Sequence, residues 1–138
     1  MDLSTVLLLI ASAIHSVGTY DYAVAYRRAI EGDEPLLVLV TAESCGPCQQ
    51  MKATTIADML SQNKFEGFNF AMVALGRERK LGRRLTRNQS VPQLIVMKKR
   101  KGHWTLRRLV GVHSVASVEA FLGKSGPGGH GASVAVSR

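Results

Sequence analysis

Cys45 and Cys48 are the only cysteines in this 138-residue chain, and Gly46 and Pro47 separate them. Two thiols at this spacing can exchange disulfides with a substrate, form an inert disulfide, or supply half of a zinc site. A structural zinc ion needs four ligands. We expect no metal ion, because none of the histidines is paired at ligand spacing: His15, His103, His113 and His130. The cysteines alone leave open a reactive dithiol, a structural disulfide or two buried, unreactive thiols.

The segments around the cysteines indicate where they lie in the fold. Residues 35–42, "PLLVLVTA", form a continuous apolar run that predicts a strand buried on both faces. The segment "CQQMKATTIADMLSQN" predicts a helix directly after it. Cys45 would then lie at the helix N-terminus, where free N–H groups and the helix dipole stabilise a thiolate. Cys48 would follow one turn later, so this placement favours a nucleophile and a resolving thiol.

The order of the remaining elements predicts a mixed sheet. Apolar spacing predicts a helix over residues 20–30, a strand over 68–75, a basic helix within 76–88 and a closing helix after Ser114. Residues 90–112 predict two strands joined by a turn at Lys101 and Gly102. A strand–helix–strand unit implies a parallel pair, and the hairpin adds antiparallel strands. We therefore predict an α/β fold with helices on both faces of a central mixed sheet.

The motif "ESCGPCQQMK" after an apolar strand resembles the active site of the thioredoxin family. The segment Val91-Pro92, between Ser90 and "QLIVM", is similar to the cis-proline segment of that family. Gly111 resembles the glycine that follows the family's hairpin. These matches span residues 20–122 and imply a thioredoxin-like three-layer fold, in which the proline loop packs against the dithiol.

The resemblance also implies an activity. It is that of a thiol–disulfide oxidoreductase that reduces protein disulfides through a mixed disulfide, with no bound cofactor. Cys45 would be the nucleophile and Cys48 the resolving thiol. Val91 would offer backbone hydrogen bonds to an extended substrate, and Pro92 would keep the loop open. The remaining residues of the active-site loop are Ser44, Gly46 and Pro47. The implied partners are a disulfide-containing protein and an electron donor such as a reductase.

Three neighbouring positions depart from the family pattern. The family commonly has Trp directly before the first cysteine, an aromatic residue three positions earlier and a buried Asp six positions before that cysteine. Those positions are here Ser44, Thr41 and Leu39. The Lys that often accompanies the Asp is replaced by an apolar residue, Met72 or Val73. A buried charge without a counter-ion is costly, so the absence of the Asp is consistent with the absence of its Lys partner. We expect a divergent member of the family in which Cys48 lacks a buried proton acceptor.

Positive charge is concentrated in one region of the chain. The net charge is +8, and the segment from Arg77 to Arg108 contains twelve Lys or Arg residues but a single acid, Glu78. Such a surface attracts acidic partners. The simplest interpretation is a solvated cationic face that aids solubility. The sharper hypothesis is an acidic protein partner, and the further alternatives are an anionic membrane or nucleic acid, because Trp104 could stack on a base. A second hypothesis for the whole chain is a basic binding module whose redox activity is incidental.

The two ends of the chain differ from its middle in composition. An apolar run from Val6 to Ile14 is too short to span a bilayer but suits the apolar region of a signal peptide, although no Lys or Arg precedes it. We predict a signal peptide or extension over residues 1–18, a thioredoxin-like domain over 19–123 and a disordered Gly- and Ser-rich tail over 124–138. The first segment favours export to the periplasm or membrane tethering, and its retention would indicate a cytoplasmic protein.

Overall fold

A computed structural model describes residues 20–123 of the chain. The predictions for residues 1–18 and 124–138 lie outside the described residues. No helix within 20–123 is long and apolar enough to cross a membrane. The elements, in chain order, are α1 (Tyr22–Gly32), β1 (Leu36–Thr41), α2 (Gly46–Met51), a π-helical turn (Lys52–Ile56), α3 (Ala57–Ser61), β2 (Asn69–Ala74), α4 (Arg79–Thr86), β3 (Gln93–Arg100), β4 (His103–Val110) and α5 (Val115–Gly123).

The four strands form one mixed sheet in the order β2-β1-β3-β4. Strand β1 runs parallel to β2, with Thr41 opposite Ala74, and antiparallel to β3, with Val40 opposite Gln93. Strands β3 and β4 form an antiparallel hairpin. The carboxyl ends of β1 and β2 therefore share one edge of the sheet with the start of β3, and the hairpin turn lies at the opposite edge. The predicted mixed α/β sheet is confirmed.

Strand β1 is buried at every position because helices cover both faces of the sheet. Alternate side chains of a strand point to opposite faces. Leu37 and Leu39 accordingly pack with residues of α2, α3 and α5 in one apolar cluster. Val38 and Val40 pack with residues of α1 and α4 in the other. These two clusters fix the end of β1, from which the cysteine loop departs.

Helix α1 buries two alanines against the sheet and leaves a tyrosine partly exposed. Ala25 and Ala29 are buried, but Tyr26 is 36% exposed. Tyr26 stacks on Tyr22 at a centroid distance of 5.9 Å and on Trp104 at 5.6 Å. One face of the Trp104 ring is therefore covered by Tyr26, at the hairpin end of the sheet.

The helix that follows the cysteines is held against the loop between β4 and α5. Its inward residues include Met51 and Thr55, which are both buried. The Thr55 hydroxyl donates to the backbone oxygen of His113 at 2.6 Å, and the His113 amide donates to Met51 Sδ at 3.4 Å. Both bonds join residues that are about sixty positions apart in the chain, and they lie close to where the helix changes from α to π geometry.

Candidate active site

Cys45 caps the N-terminus of α2. Its backbone is extended, with φ −109° and ψ 102°, and its Sγ accepts a hydrogen bond from the Cys48 amide at 3.2 Å. A sulfur in this position faces the unpaired N–H groups and the positive end of the helix. The local backbone therefore favours a thiolate at Cys45 whenever the pair is reduced.

Cys45 and Cys48 are joined by a disulfide, with their Cα atoms 5.2 Å apart. Cys45 is partly exposed, whereas Cys48 is 0% exposed. An external disulfide can thus reach Cys45 but not Cys48. The difference in access gives the two sulfurs different chemical possibilities, although they are only three residues apart.

The other residues of the loop leave Cys45 open. Gly46 and Pro47 form the exposed first turn of α2, where the missing N–H of proline has no helical partner to lose. Ser44 is exposed and adopts a left-handed backbone conformation with φ 55°. A small side chain at this position does not cover the neighbouring sulfur.

The loop before β3 faces the dithiol. The peptide bond between Val91 and Pro92 is cis, and the Val91 carbonyl oxygen lies 3.9 Å from Cys45 Sγ. Pro92 is buried, and its carbonyl oxygen accepts a hydrogen bond from Gly111 at 2.8 Å. Gly111 has φ 90°, a conformation that glycine adopts without strain. The structure thus brings together all seven residues that the sequence indicated: Ser44, Cys45, Gly46, Pro47, Cys48, Val91 and Pro92.

Gln93 is a residue of this loop that the sequence interpretation missed. Its side chain is 0% exposed, and its Nε2 donates to the backbone oxygens of Ser90 at 3.0 Å and Thr86 at 3.3 Å. Its Oε1 has no partner among the described residues. A polar residue directly after Pro92, at the start of an otherwise apolar strand, was the available signal.

Arg108 links β4 to the end of α4. Its Nε and Nη2 both donate to the backbone oxygen of Leu85, at 3.2 and 2.9 Å. Partial burial lowers the pKa of Arg108, and the nearby positive charge of Arg87 adds to this effect. Together with the bond from Gln93 to Thr86, this contact fixes α4 relative to the proline loop.

The acid and the amine that are common in the family are both absent from the interior. Leu39 is 0% exposed and lies opposite Met72 of the neighbouring parallel strand. No Asp or Glu is buried within residues 20–123, and Glu43 is exposed. In the same part of the chain, no group of three His, Cys, Asp or Glu residues is arranged to hold a metal ion.

The structure divides the basic region into two separate surfaces. One lies on α4 and its flanking loops. The other lies at the hairpin turn, where Lys99 is opposite Trp104. Lys99 follows Gln93 by six residues, so it lies about 20 Å along the strand from the dithiol edge.

Comparisons with known proteins agree with this architecture. A family model described as thioredoxin-like matches residues 16–99. No curated protein sequence matches the chain. Among solved structures, a thioredoxin from Thermus thermophilus is similar, with 24% identity, 77% of this chain and 84% of that chain covered, and a TM-score of 0.67. A Trichomonas vaginalis thioredoxin has 24% identity, coverage of 72% and 86%, and a TM-score of 0.58. Thioredoxin NaTrxh from Nicotiana alata has 18% identity, coverage of 76% and 84%, and a TM-score of 0.59.

Proposed function

The chain belongs to the thioredoxin-like family, and on that premise we propose that it is a thiol–disulfide oxidoreductase that reduces disulfides in protein substrates. The observation that carries the proposal is the asymmetry of the dithiol. Cys45 is accessible and is capped by a backbone N–H, and Cys48 is buried within bonding distance of it. A dithiol of this kind can attack from one sulfur and resolve from the other.

The reaction proceeds in two exchanges. The Cys45 thiolate attacks one sulfur of the substrate disulfide, which forms a mixed disulfide and releases the other substrate sulfur as a thiolate. The Cys48 thiolate then attacks Cys45 Sγ, which forms the Cys45–Cys48 disulfide and releases the second substrate thiolate. The substrate gains two electrons and the enzyme loses two. An external dithiol donor, such as a reductase, returns the enzyme to its reduced form.

The substrate chain lies against the proline loop in this proposal. The Val91 carbonyl oxygen, which lies 3.9 Å from Cys45 Sγ, supplies a hydrogen-bond acceptor beside the reacting sulfur. Val110 and Val112 flank Gly111 and are 43% and 38% exposed. Since Gly111 is bonded to Pro92, these side chains provide apolar surface next to the same loop. The loop and these side chains together offer backbone hydrogen bonding and apolar contact to an extended substrate chain.

Cys48 has no buried acid to accept its proton. Leu39 and Met72 supply only apolar surface on β1 and β2, so the proton passes to water or to the departing substrate thiolate. This route needs a transient opening around Cys48, which is 0% exposed. We therefore propose that resolution of the mixed disulfide is slower than its formation.

The test is reduction of insulin disulfides with dithiothreitol as the electron donor. Wild type should accelerate the reaction, and Cys45→Ser should reduce the rate to that of dithiothreitol alone. Cys48→Ser should form a covalent adduct with the substrate, which intact mass detects when reductant is omitted. Wild type that is no faster than dithiothreitol, or Cys45→Ser that is as fast as wild type, would overturn the proposal.

A further inference from the structure

We propose that this oxidoreductase selects disulfides in acidic protein segments and that α4 carries the selecting surface. The inference rests on the proposed function and adds a substrate class to it. The α4 surface comprises six cationic residues in and beside that helix: Arg77, Arg79, Lys80, Arg83, Arg84 and Arg87.

The cations of the α4 surface form no ion pair with the residues that the structure describes. All six side chains are exposed. Within residues 20–123 one ion pair forms, between Lys64 and Glu119, and it involves none of them. The single acid in the segment, Glu78, precedes the helix without a side-chain capping bond. The cations are therefore available to carboxylates of another molecule.

The N-terminal side of α4 begins beside the cysteine loop. The Leu75 amide donates to the backbone oxygen of Thr41 at 2.8 Å, so β1 and β2 end together. Arg79 follows Leu75 by four residues, which limits their Cα separation to about 14 Å. Gly76 lies next to the Glu43 side chain, since a Cβ placed on Gly76 would be 3.5 Å from its carboxyl carbon.

The C-terminal side of α4 ends beside the proline loop. Arg87 precedes Val91 by four residues, which again limits their Cα separation to about 14 Å. Gln93 donates a hydrogen bond to the backbone oxygen of Thr86, and Arg108 donates one to that of Leu85. An eight-residue helix is only about 12 Å long. The α4 surface is therefore anchored between the cysteine loop and the proline loop.

The α4 cations act on a substrate both before and during its binding. The Debye length is about 8 Å at physiological ionic strength, so the cations act most strongly on those substrate carboxylates that come within about that distance of them. Complementary charge raises the rate of association and excludes partners of the wrong sign. Arg also binds carboxylates through two parallel hydrogen bonds. The expected effect is on kcat/KM and on its dependence on salt.

The features of the α4 surface favour protein over nucleic acid as the partner. Residues 76–90 contain no aromatic side chain on which a base could stack. Trp104 belongs to the hairpin surface, and Tyr26 covers one face of its ring. The dithiol beside α4 further requires a partner that contains a disulfide.

The hairpin supplies a matched control. Lys99, Arg100 and Lys101 are exposed cations at the sheet edge opposite to the dithiol. Replacing all three by Glu changes the net charge as much as Arg79→Glu, Arg83→Glu and Arg84→Glu together. Only the α4 set lies between the cysteine loop and the proline loop. Comparing the two variants therefore separates the effect of total charge from the effect of its position.

The experiment uses two cyclic disulfide peptides that differ only in flanking residues, four Glu or four Lys, with dithiothreitol as the donor. Wild type at low salt should reduce the acidic peptide with a kcat/KM about tenfold higher than the basic one, and salt should narrow the ratio. The α4 triple variant should reverse the preference, and the hairpin triple variant should keep it. The corresponding Gln variants of α4 should abolish the preference without adding negative charge, and thermal melts establish that each variant is folded.

Several outcomes would overturn the inference. Equal rates with both peptides would do so, as would equal effects of the α4 and hairpin variants. A single-stranded oligonucleotide that saturates α4 at physiological salt, with no difference between the peptides, would identify nucleic acid as the partner instead. The neutral substrate 2-hydroxyethyl disulfide separates the two proposals. If neither it nor insulin is reduced faster than by dithiothreitol alone, the proposed function itself fails; if either is reduced but the two peptides show no charge preference, only the substrate class fails.

Discussion

The backbone amide of Cys48 donates a hydrogen bond to Cys45 Sγ at 3.2 Å, so the residue that would resolve the mixed disulfide also caps the sulfur that would form it. The bond exists because Cys45 has an extended backbone at the N-cap while Cys48 is already in the first helical turn. A thiolate at Cys45 gains a backbone donor and the positive helix end. Cys48 gains neither and is buried, which makes the two thiols chemically unequal.

The inequality predicts selective alkylation of the reduced protein. At neutral pH, iodoacetamide should modify Cys45 at least about ten times faster than Cys48, because the thiolate is the reactive species and only Cys45 is accessible. Peptide mapping by mass spectrometry after short exposures measures both rates. In Cys45→Ser, the remaining Cys48 should stay slow. Equal rates at the two cysteines would contradict the hydrogen-bonded geometry.

The position of Trp104 predicts that its fluorescence does not report the redox state. It is the only tryptophan in the chain, and it lies opposite Lys99 near the hairpin turn. That position is about 20 Å along the strand from the dithiol edge. A disulfide quenches an indole effectively only at close contact. Emission should therefore remain unchanged when dithiothreitol reduces the disulfide.

A variant provides the positive control for this measurement. Glu43→Trp in a Trp104→Phe background places the indole at an exposed position two residues before Cys45. Its emission should rise on reduction. A comparable rise in wild type would show that Trp104 lies much closer to the dithiol than the hairpin register allows.

Local features of the site were predictable from the sequence, and contacts between distant segments were not. The apolar run before Cys45 and the Pro47 in the following turn are consecutive in the chain, so their spacing alone indicates a helix N-terminus. Arg108 bonds to the Leu85 oxygen only because β4 lies close to the end of α4. Likewise, the stacking of Tyr26 on Trp104 depends on how α1 crosses the sheet. Neither contact leaves a periodic signal in the sequence.

Gln93 is expected to support both stability and the geometry of the proline loop. Gln93→Leu removes the donor to the Ser90 and Thr86 oxygens, which should lower the free energy of unfolding by about 1–2 kcal/mol. The substitution also removes Oε1, which has no hydrogen-bond partner among the described residues. The loss of stability is therefore smaller than for a buried amide whose oxygen and nitrogen are both bonded. Urea unfolding measures this change. For insulin reduction, KM should rise more than kcat falls, since Gln93 positions the loop and does not touch the reacting sulfurs.

The control for this variant is Gln89→Leu. Gln89 is exposed, and its backbone amide, which the substitution leaves intact, makes its hydrogen bond to Thr86. Its stability should change by less than about 0.5 kcal/mol, as is usual for surface positions. If Gln93→Leu behaved like Gln89→Leu in both assays, the buried amide would have no positioning role.

Leu39 occupies the position where the family commonly has a buried acid, and it is fully enclosed opposite Met72. Leu39→Asp should therefore destabilise the protein by about 3–5 kcal/mol at pH 7, because a buried carboxylate would lack a counter-ion. Leu39→Asn is the matched neutral control. Burial raises the pKa of a carboxyl group in the folded state above its unfolded value near 3.9. The charge-dependent part of the stability loss is therefore complete at pH values above the folded-state pKa. It disappears as the pH falls below the unfolded-state pKa.

Adding Met72→Lys tests whether the acid and the amine form a coupled pair across β1 and β2. Residues 39 and 72 are direct neighbours in the parallel register, so a Lys there can approach the new carboxylate. The double variant should recover at least about 1 kcal/mol relative to the sum of the two single variants. Urea unfolding at pH 7 and pH 4.5 measures all four members of the cycle. Strict additivity at pH 7 would mean that the two positions do not interact, and that the paired loss of acid and amine has no electrostatic basis in this fold.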